Sequence, residues 1–445
     1  MIRLSSEIYV NYLRAKLKYI IIKLRGFTHR ARKISVRIQN FQSNLGIADA
    51  SAVYDPYTDY AYVSCGYMRD FKSYSNHIYR LEDGDSIIEF KPVTKLDSPR
   101  WGAIAVRNPL DGTILFIGGY FEGESSSMIT VFDPLDKEVY DINVKVPIGR
   151  GCMAEFIPEW GSILIASEHP RKAFFIYNCS TRTLRSVDCP WSNMIPRWGS
   201  MAYYKSLLFI TGGSISRPPG FIVKQPFMRV FKLYNRFKLD FLESMVTPFA
   251  LHGMNREPIV YNDFIIMGFG LDDFRKFHNQ IFIYDVREKT YHYITSDAKP
   301  RDGVASAFNY KRNRVYFIGG RNTCDNPHGL HEITIMDLSS KPIDVRVWAE
   351  PYGDNRYAII KSDTNTFRLH IKLTSRLERI VQASLVILRD SNVCKKREIQ
   401  LHPSEEIDEE YVFGESGFYR VMVSLVDKGE KVNIETNTIH AIKYC

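Results

Sequence analysis

The sequence predicts an all-β protein: a six-bladed β-propeller followed by a small β-sandwich, with a short basic helix in front of both. Three observations lead to this prediction: a pattern that recurs about every fifty residues, alternating apolar and polar residues near the C-terminus, and basic residues concentrated in the first forty positions. We assign residues 1–44 to a basic amphipathic arm, 45–350 to the propeller and 351–445 to the sandwich.

The recurring pattern consists of a basic start, an apolar strand and a glycine pair. The clearest copies begin at Arg100, Arg197 and Arg301 and reach Gly118-Gly119, Gly212-Gly213 and Gly319-Gly320; weaker copies begin at Arg150 and Pro248, and a more altered one near Gly46. A period near fifty is too long for the common helical repeats and fits a unit of four short strands. Because small sheets stacked radially cover one another's faces, six such units predict a propeller.

Residues around the glycine pairs resemble the kelch repeat. The apolar run into each pair is followed by an aromatic residue on the third strand, as at Phe132, Phe231 and Tyr284. The tryptophan that the family carries after this aromatic is replaced by Tyr140, Leu184, Leu239 and Tyr291. The resemblance implies a kelch-type propeller, a fold used mainly for binding partners and sometimes for enzymes.

The C-terminal residues alternate between apolar and polar side chains, which predicts strands with one solvated face. This alternation is clear in 367–373 and again in 419–426. The stretch from Gly417 to Val421, followed by a turn at Asp427-Lys428-Gly429, is similar to the end of an immunoglobulin-like sandwich. A propeller followed by such a sandwich has the domain order of galactose oxidase.

Residues 1–40 contain ten basic side chains and one acidic side chain, so their charge of 10 − 1 = +9 equals that of the whole chain. Apolar residues at helical spacing leave Arg14, Lys18, Lys23 and Arg25 away from the apolar stripe. A basic amphipathic helix of this kind has four alternative roles. It binds an anionic membrane, serves as a mitochondrial-type targeting segment, docks on a protein or nucleic acid, or packs on the rest of the chain. Nucleic acid is the less favoured partner. With seven scattered cysteines, we expect a cytoplasmic protein, peripheral to a membrane in one alternative and mitochondrial in another.

Four arginines occupy similar positions in the repeats. Arg100, Arg150, Arg197 and Arg301 are therefore expected at comparable depth around one axis, with Trp101 and Trp198 offering stacking faces. Converging guanidinium groups bind a carboxylate, a phosphate or an acidic peptide. The alternative is that each arginine bonds backbone carbonyls or a neighbouring carboxylate and fixes the geometry of its blade.

Variable loops after the glycine pairs are the candidate partner contacts. These loops carry aromatic and proline residues that we expect to be exposed: Tyr120, Phe121, Pro218, Phe221, Phe274 and Phe277. The best candidate for a metal site, Cys324 with His328 and His331, lacks a fourth ligand and more often indicates an ordinary loop. Galactose-oxidase-type copper chemistry would require two Tyr ligands, two His ligands and a modified Cys–Tyr pair, which no local motif indicates. We therefore predict no metal and no cofactor.

Neither a nucleophile motif nor a phosphate-binding loop is present in the sequence. The first prediction for function is a non-catalytic binding scaffold that holds a protein or glycan partner with its propeller loops, positioned by the basic helix. The alternative is a propeller enzyme, a sugar epimerase or an oxidase, that acts on a small acidic or carbohydrate substrate.

Overall fold

The structure is a computed structural model that describes most of the chain from Val36 onward. The described residues are 36–68, 73–84, 88–126, 128–143, 148–168, 172–187, 189–217, 221–234, 237–247, 250–272, 275–323, 329–338, 343–350, 359–362, 367–375, 380–390, 392–402, 406–415, 417–427, 430–435 and 439–443. The predicted helix with Arg14, Lys18, Lys23 and Arg25 lies outside these residues. Within them, no helix is long and apolar enough to cross a membrane.

The described residues form strands almost throughout, as the short apolar runs predict. The first seven strands are β1 (Val36–Ala48), β2 (Ser51–Asp55), β3 (Tyr60–Ser64), β4 (Tyr67–Met68), β5 (Ser73–Tyr74), β6 (His77–Asp83) and β7 (Ile88–Lys95). Strands β2, β3, β6 and β7 form the first four-stranded antiparallel sheet, sheet 1.

Two more sheets follow. Their elements are β8 (Ile104–Arg107), β9 (Ile114–Ile117), β10 (Tyr120–Phe121), β11 (Glu124–Ser125), β12 (Met128–Phe132), β13 (Val139–Asn143), β14 (Met153–Ile157), the short 3₁₀ turn Pro158–Trp160, β15 (Ser162–Ser167), β16 (Ala173–Asn178) and β17 (Thr183–Val187). Sheet 2 contains β8, β9, β12 and β13, with β10 and β11 as a separate hairpin, and sheet 3 contains β14 to β17.

Sheets 4, 5 and 6 complete the repeated part. A second 3₁₀ turn, Ser192–Met194, precedes β18 (Arg197–Tyr204), β19 (Leu207–Arg217), β20 (Phe221–Lys224), β21 (Phe227–Tyr234), β22 (Lys238–Val246), β23 (Ile259–Tyr261), β24 (Phe264–Gly268), β25 (Gln280–Asp285), β26 (Thr290–Thr295), β27 (Ala305–Asn309), β28 (Arg314–Ile318) and β29 (Leu330–Leu338). Sheet 4 holds β18, β19, β21 and β22, with β20 paired to β19; sheet 5 holds β23 to β26.

Sheet 6 takes its fourth strand from the start of the described chain. Strands β27, β28 and β29 are followed in the sheet by β1, in which Val36 pairs with Leu338 and Gln42 with Glu332. Residues 36–44, which the sequence analysis assigns to the basic arm, are therefore strand. Because alternate side chains of a strand face the core, Ile38 of β1 packs into the apolar cluster that sheets 5 and 6 share.

Neighbouring sheets share apolar cores all the way round. Sheets 1 and 2 meet around Phe116 and Phe132, sheets 2, 3 and 4 share the largest core around Phe156 and Phe174, and the remaining pairs meet in three further clusters. The last of these clusters joins sheet 6 back to sheet 1. The arrangement is propeller-like, since each sheet covers its two apolar faces with its two neighbours.

A ring of backbone hydrogen bonds links the starts of the six innermost strands. Each ring residue donates its N–H to the carbonyl of the ring residue in the preceding sheet, over 2.7–3.2 Å: Asp49, Gly102, Gly151, Trp198, Gly253, Gly303 and back to Asp49. All six have positive φ, between 52° and 70°. Glycine adopts this conformation without cost, whereas a bulky residue such as Trp198 is strained in it.

The C-terminal strands form two further sheets. They are β30 (Ile343–Glu350), β31 (Ile359–Ser362), β32 (Phe367–Ser375), β33 (Val381–Arg389), β34 (Asn392–Leu401), β35 (Glu406–Phe413), β36 (Gly417–Asp427), β37 (Glu430–Glu435) and β38 (Ile439–Lys443). One sheet contains β30, β32 and β35, and the other contains the remaining six strands. Apolar side chains of both sheets, such as Ile371 and Val423, form one core. The predicted immunoglobulin-like topology and domain boundaries stay predictions.

Candidate functional site

The residue immediately before each ring residue places a side chain at one end of the axis. These six residues, which we call the rim, are Ala48, Trp101, Arg150, Arg197, His252 and Asp302. The rim residues Trp101, His252 and Asp302 each form a bridge with the residue after the glycine pair, or its remnant, in the same sheet: Tyr120, Leu271 and Arg321. Arg197 pairs with Ser214 in the same way. The rim thus combines cationic, anionic, aromatic and imidazole groups around the axis.

The four arginines do not share one depth, which corrects the expectation from their spacing. Arg150 and Arg197 directly precede a ring residue, whereas Arg100 and Arg301 stand two places before one. The two identical Pro-Arg-Trp-Gly segments, 99–102 and 196–199, therefore differ by one residue in their position relative to the ring. Trp101 is the structural counterpart of Arg197. Adjacent side chains in extended chain point to opposite sides, which separates the arginines into two pairs.

Arg100 and Arg301 are buried inside their own sheets. Arg100 donates from Nη1 to Ser126 Oγ over 3.2 Å and from Nη2 to Thr130 Oγ1. Arg301 has no exposed surface; it is paired with Glu332, donates to Thr334 Oγ1 over 2.7 Å and lies 4.4 Å from the centre of the Phe269 ring. Burial lowers the pKa of Arg301 to about 10. These contacts match the architectural alternative for the two residues.

Aromatic rings form a continuous row from the surface to the axis. Tyr74 lies nearly parallel to Trp101, with ring centres 6.1 Å apart, and Trp101 is stacked with Trp198 at 5.7 Å. Trp198 in turn lies 6.1 Å from His252. The row exists because the ring residues beside Trp198 are glycines: a Cβ on Gly151 would stand 2.7 Å from the indole. Tyr74 was not predicted as a site residue, since it lies in a hairpin outside the repeated pattern.

Arg150 and Arg197 form a cationic pair next to these rings. The Arg150 guanidinium lies 4.6 Å from the centre of Trp101 and 4.7 Å from that of Tyr120. Burial and then the nearby Arg197 lower the pKa of Arg150. Within the described part of the chain, neither arginine has a salt bridge, and the buried Arg197 Nε and Trp101 Nε1 have no hydrogen-bond partner. Both arginines are half-buried, and guanidinium groups without carboxylate partners attract anions.

His252 is the rim residue best suited to move a proton. Its Nδ1 lies 3.1 Å from Ser214 Oγ. Burial lowers the pKa of His252 to about 3, and the charges of Lys224, Arg321 and Arg197 contribute to the same shift. The imidazole is therefore neutral at physiological pH. Because three of the causes are cations, a bound anion would offset them and raise the pKa of His252.

Asp302 and Asp49 provide the negative charge at the rim. Arg321 donates from Nε to Asp302 Oδ1 over 2.8 Å, and its Nη1 lies 3.4 Å from Asp49 Oδ2. Burial raises the pKa of Asp302 to about 6, although Arg321 acts in the opposite direction. His252, Asp302 and Arg321 were all missed as site residues. Aligning the repeats on the glycine pairs, instead of on the Pro-Arg starts, would have brought these positions together.

Hairpins between second and third strands surround the rim. Strand β20 extends β19 as a hairpin whose Lys224 donates to the carbonyl of Asp272 in sheet 5. The candidate contact residues Tyr120 and Phe121 lie on β10 and are half-buried, as is Phe277. Pro218 and Phe274 lie outside the described residues, as do Cys324 and His328, and Phe221 is described only as part of β20.

One buried arginine lies against the ring. Arg256 donates to the carbonyls of Gly102 over 2.8 Å and Ala50 over 2.9 Å, and its guanidinium lies 5.4 Å from the Trp198 ring. The innermost strands also line a cavity of about 100 Å³. Glu257 lines that cavity and is hydrogen-bonded to Ser51. Burial raises the pKa of Glu257 to about 7.

Comparisons with known proteins identify the fold and no family. No protein family and no curated protein matches the sequence. Among solved structures, the chain is similar to that of YjhT, with 13% identity, 66% of this chain and 96% of that chain covered, and a TM-score of 0.49. It is also similar to a fungal alcohol oxidase of the AA5 family in complex with copper, with 13% identity, 88% and 85% covered, and a TM-score of 0.51. The chain therefore has a galactose oxidase/kelch-like all-β fold.

The comparison with the alcohol oxidase corrects the first prediction for function. A non-catalytic scaffold was expected, yet the structure that shares the fold over most of the chain belongs to an enzyme, so the enzyme alternative is better supported. The described residues contain no group of three or more His, Cys, Asp and Glu side chains able to hold a metal. His252, the rim histidine, faces three cations, which disfavour a metal cation beside it.

Proposed function

We propose that this chain is a six-bladed, kelch-type propeller enzyme that acts on a small anionic carbohydrate at the rim. The six sheets would be the blades, and β1 would close the last blade onto the first. The hydrogen-bonded ring and the shared cores between successive sheets support this architecture. The single observation that favours the function is the cationic pair Arg150 and Arg197, placed beside stacked aromatic rings and a neutral histidine.

The arginine pair supplies the binding step. Two guanidinium groups without carboxylate partners among the described residues suit a carboxylate, since arginine donors form bidentate charge-assisted bonds with that group. The aromatic rings beside them offer an apolar surface for the C–H face of a sugar. A substrate held by its acid group at Arg197 would place its ring beside Trp101, which is half-buried, whereas Trp198 is buried.

His252 supplies the chemical step. In the free protein, burial and, as smaller causes, the cations Lys224, Arg321 and Arg197 keep the imidazole neutral. A bound carboxylate offsets the cationic part of this shift and raises the pKa of His252, which makes the imidazole a better general base when substrate is present. Removal of a proton by a neutral imidazole is a step that an epimerase uses, so we favour an epimerase over an oxidase.

The test combines binding with proton exchange. Glucuronate and galacturonate are the probes; calorimetry measures binding, and NMR in D₂O measures loss of the C–H signal that an epimerase exchanges with solvent. Arg197→Gln should weaken binding about 10- to 100-fold, because charge-assisted hydrogen bonds contribute roughly 1.5–3 kcal/mol each. His252→Gln should bind but not exchange.

Arg182→Gln is the matched control. It makes the same charge change beside the outer strand β17, where Arg182 lies over the Tyr140 ring. Binding and exchange should both equal those of the unchanged protein. No saturable binding of either probe, or equal losses for Arg182→Gln and Arg197→Gln, would contradict the proposed function.

A further inference from the structure

Three aromatic side chains beside the rim form a surface that the proposed reaction does not use. Tyr67 and Tyr74 lie on the β4–β5 hairpin and Phe121 on the β10–β11 hairpin. The Tyr74 ring is in contact with both others, edge-on, with centres 5.7 Å from Tyr67 and 6.4 Å from Phe121. Tyr74 is 37% exposed, so the cluster opens to solvent.

The cluster of Tyr67, Tyr74 and Phe121, which we call the platform, is continuous with Arg150 and Arg197. Tyr74 is stacked on Trp101, and Trp101 carries the Arg150 guanidinium. One ligand therefore reaches both sites when its acid group lies at Arg150 and Arg197 and its next ring lies outward over Tyr74. A single acidic monosaccharide occupies only the inner half of this row.

The charge next to the platform indicates which kind of ring binds there. The tight turn between β10 and β11 carries Glu122, and Glu124 pairs with Phe121 across the hairpin; both carboxylates are exposed. Carboxylates accept hydrogen bonds from sugar hydroxyls and repel a polyphosphate. A neutral pyranose is thus favoured over the nucleobase of a nucleotide sugar, whose phosphates would lie near Glu122.

We propose that Tyr74 and Phe121 form a second subsite for a neutral sugar, so that the substrate is the acidic end of an oligosaccharide and not a free acidic monosaccharide. This proposal rests on the proposed function, because it needs the acid group to bind at the arginine pair. Aromatic contacts of this kind contribute enough to make the longer ligand bind about tenfold more tightly.

Calorimetry with three probes tests the subsite. The probes are glucuronate, an aldobiouronic acid in which glucuronate is linked to one xylose, and UDP-glucuronate. The unchanged protein should bind the aldobiouronic acid about tenfold more tightly than glucuronate. Tyr74→Ala and Phe121→Ala should remove that difference, whereas Arg197→Gln should weaken the binding of both ligands.

A matched control separates the subsite from general effects on the surface. Tyr57, 41% exposed, lies at the opposite end of the innermost strands, and Tyr57→Ala should keep the tenfold difference. Equal affinities for glucuronate and the aldobiouronic acid would overturn the subsite and leave the proposed function intact. Tightest binding of UDP-glucuronate, lost in Tyr74→Ala, would also overturn it and assign the platform to a nucleobase. If no probe binds, the proposed function itself fails.

Discussion

Replacing Arg301 with leucine tests the architectural role of the inner arginine pair. Arg301 is fully buried, and its partner Glu332 has 6% of its side chain exposed and also accepts the Lys299 N–H over 3.1 Å. Removing only the cation leaves a buried carboxylate without its counter-charge, which costs about 3–5 kcal/mol. For a unit of this size, roughly 2 °C of melting temperature is lost for each kcal/mol, so Arg301→Leu should melt roughly 6–10 °C lower.

A double-mutant cycle, followed by thermal melting, isolates the ion pair. Adding Glu332→Leu removes the stranded charge, so the double variant should be more stable than Arg301→Leu alone. Arg197→Leu serves as the comparison, because Arg197 is half-buried at the rim and should change stability by no more than about 0.5 kcal/mol. A loss below about 2 °C for Arg301→Leu, or strictly additive losses in the double variant, would refute the reasoning.

Three further predictions concern the ring, the rim and the closing strand. Gly303→Ala puts a Cβ 2.5 Å from Asp49 Oδ1 and should be clearly less stable in denaturant melts than Gly123→Ala, whose added Cβ meets nothing within 4 Å although both have positive φ. Burial raises the pKa of Asp302 to about 6, above its unfolded value of about 3.9, so the folded state holds the extra proton in between and stability should fall as pH rises from 4 to 6. Asp302→Asn should flatten this dependence of stability on pH in unfolding measured across the same range. An unchanged dependence would mean that a group other than Asp302 causes it. Deleting residues 1–35 should leave the circular dichroism and melting of the sheets intact, whereas deleting 1–42 removes the part of β1 paired with β29 and should lower the melting temperature or unfold the protein.

The repeat predicted the strands well because its apolar positions are those that the fold buries. The aromatic residues Phe132, Phe231 and Tyr284 are buried on the third strands, as the pattern requires. The contribution of β1 to sheet 6 was missed, because pairing between segments that are far apart in the sequence leaves no local signal.

The site was predicted only in part, for a related reason. The sequence grouped Arg100 and Arg301 with Arg150 and Arg197, although Arg150 lies over Trp101 and Arg301 is buried against Glu332. A shift of one residue reverses the side of a strand on which a side chain lies, and identical tetrapeptides gave no hint of that shift. The register of each sheet, which can be read from the position of its glycine pair, decides which arginine faces the axis.

The closed ring of hydrogen bonds has a consequence for whatever binds at the rim. Arg256 donates to the carbonyls of Gly102 and Ala50, so backbone and a buried guanidinium occupy the ring end of the axis. Under the proposed function, substrate would therefore enter and product would leave on the solvent side of the ring, past the hairpins around the rim.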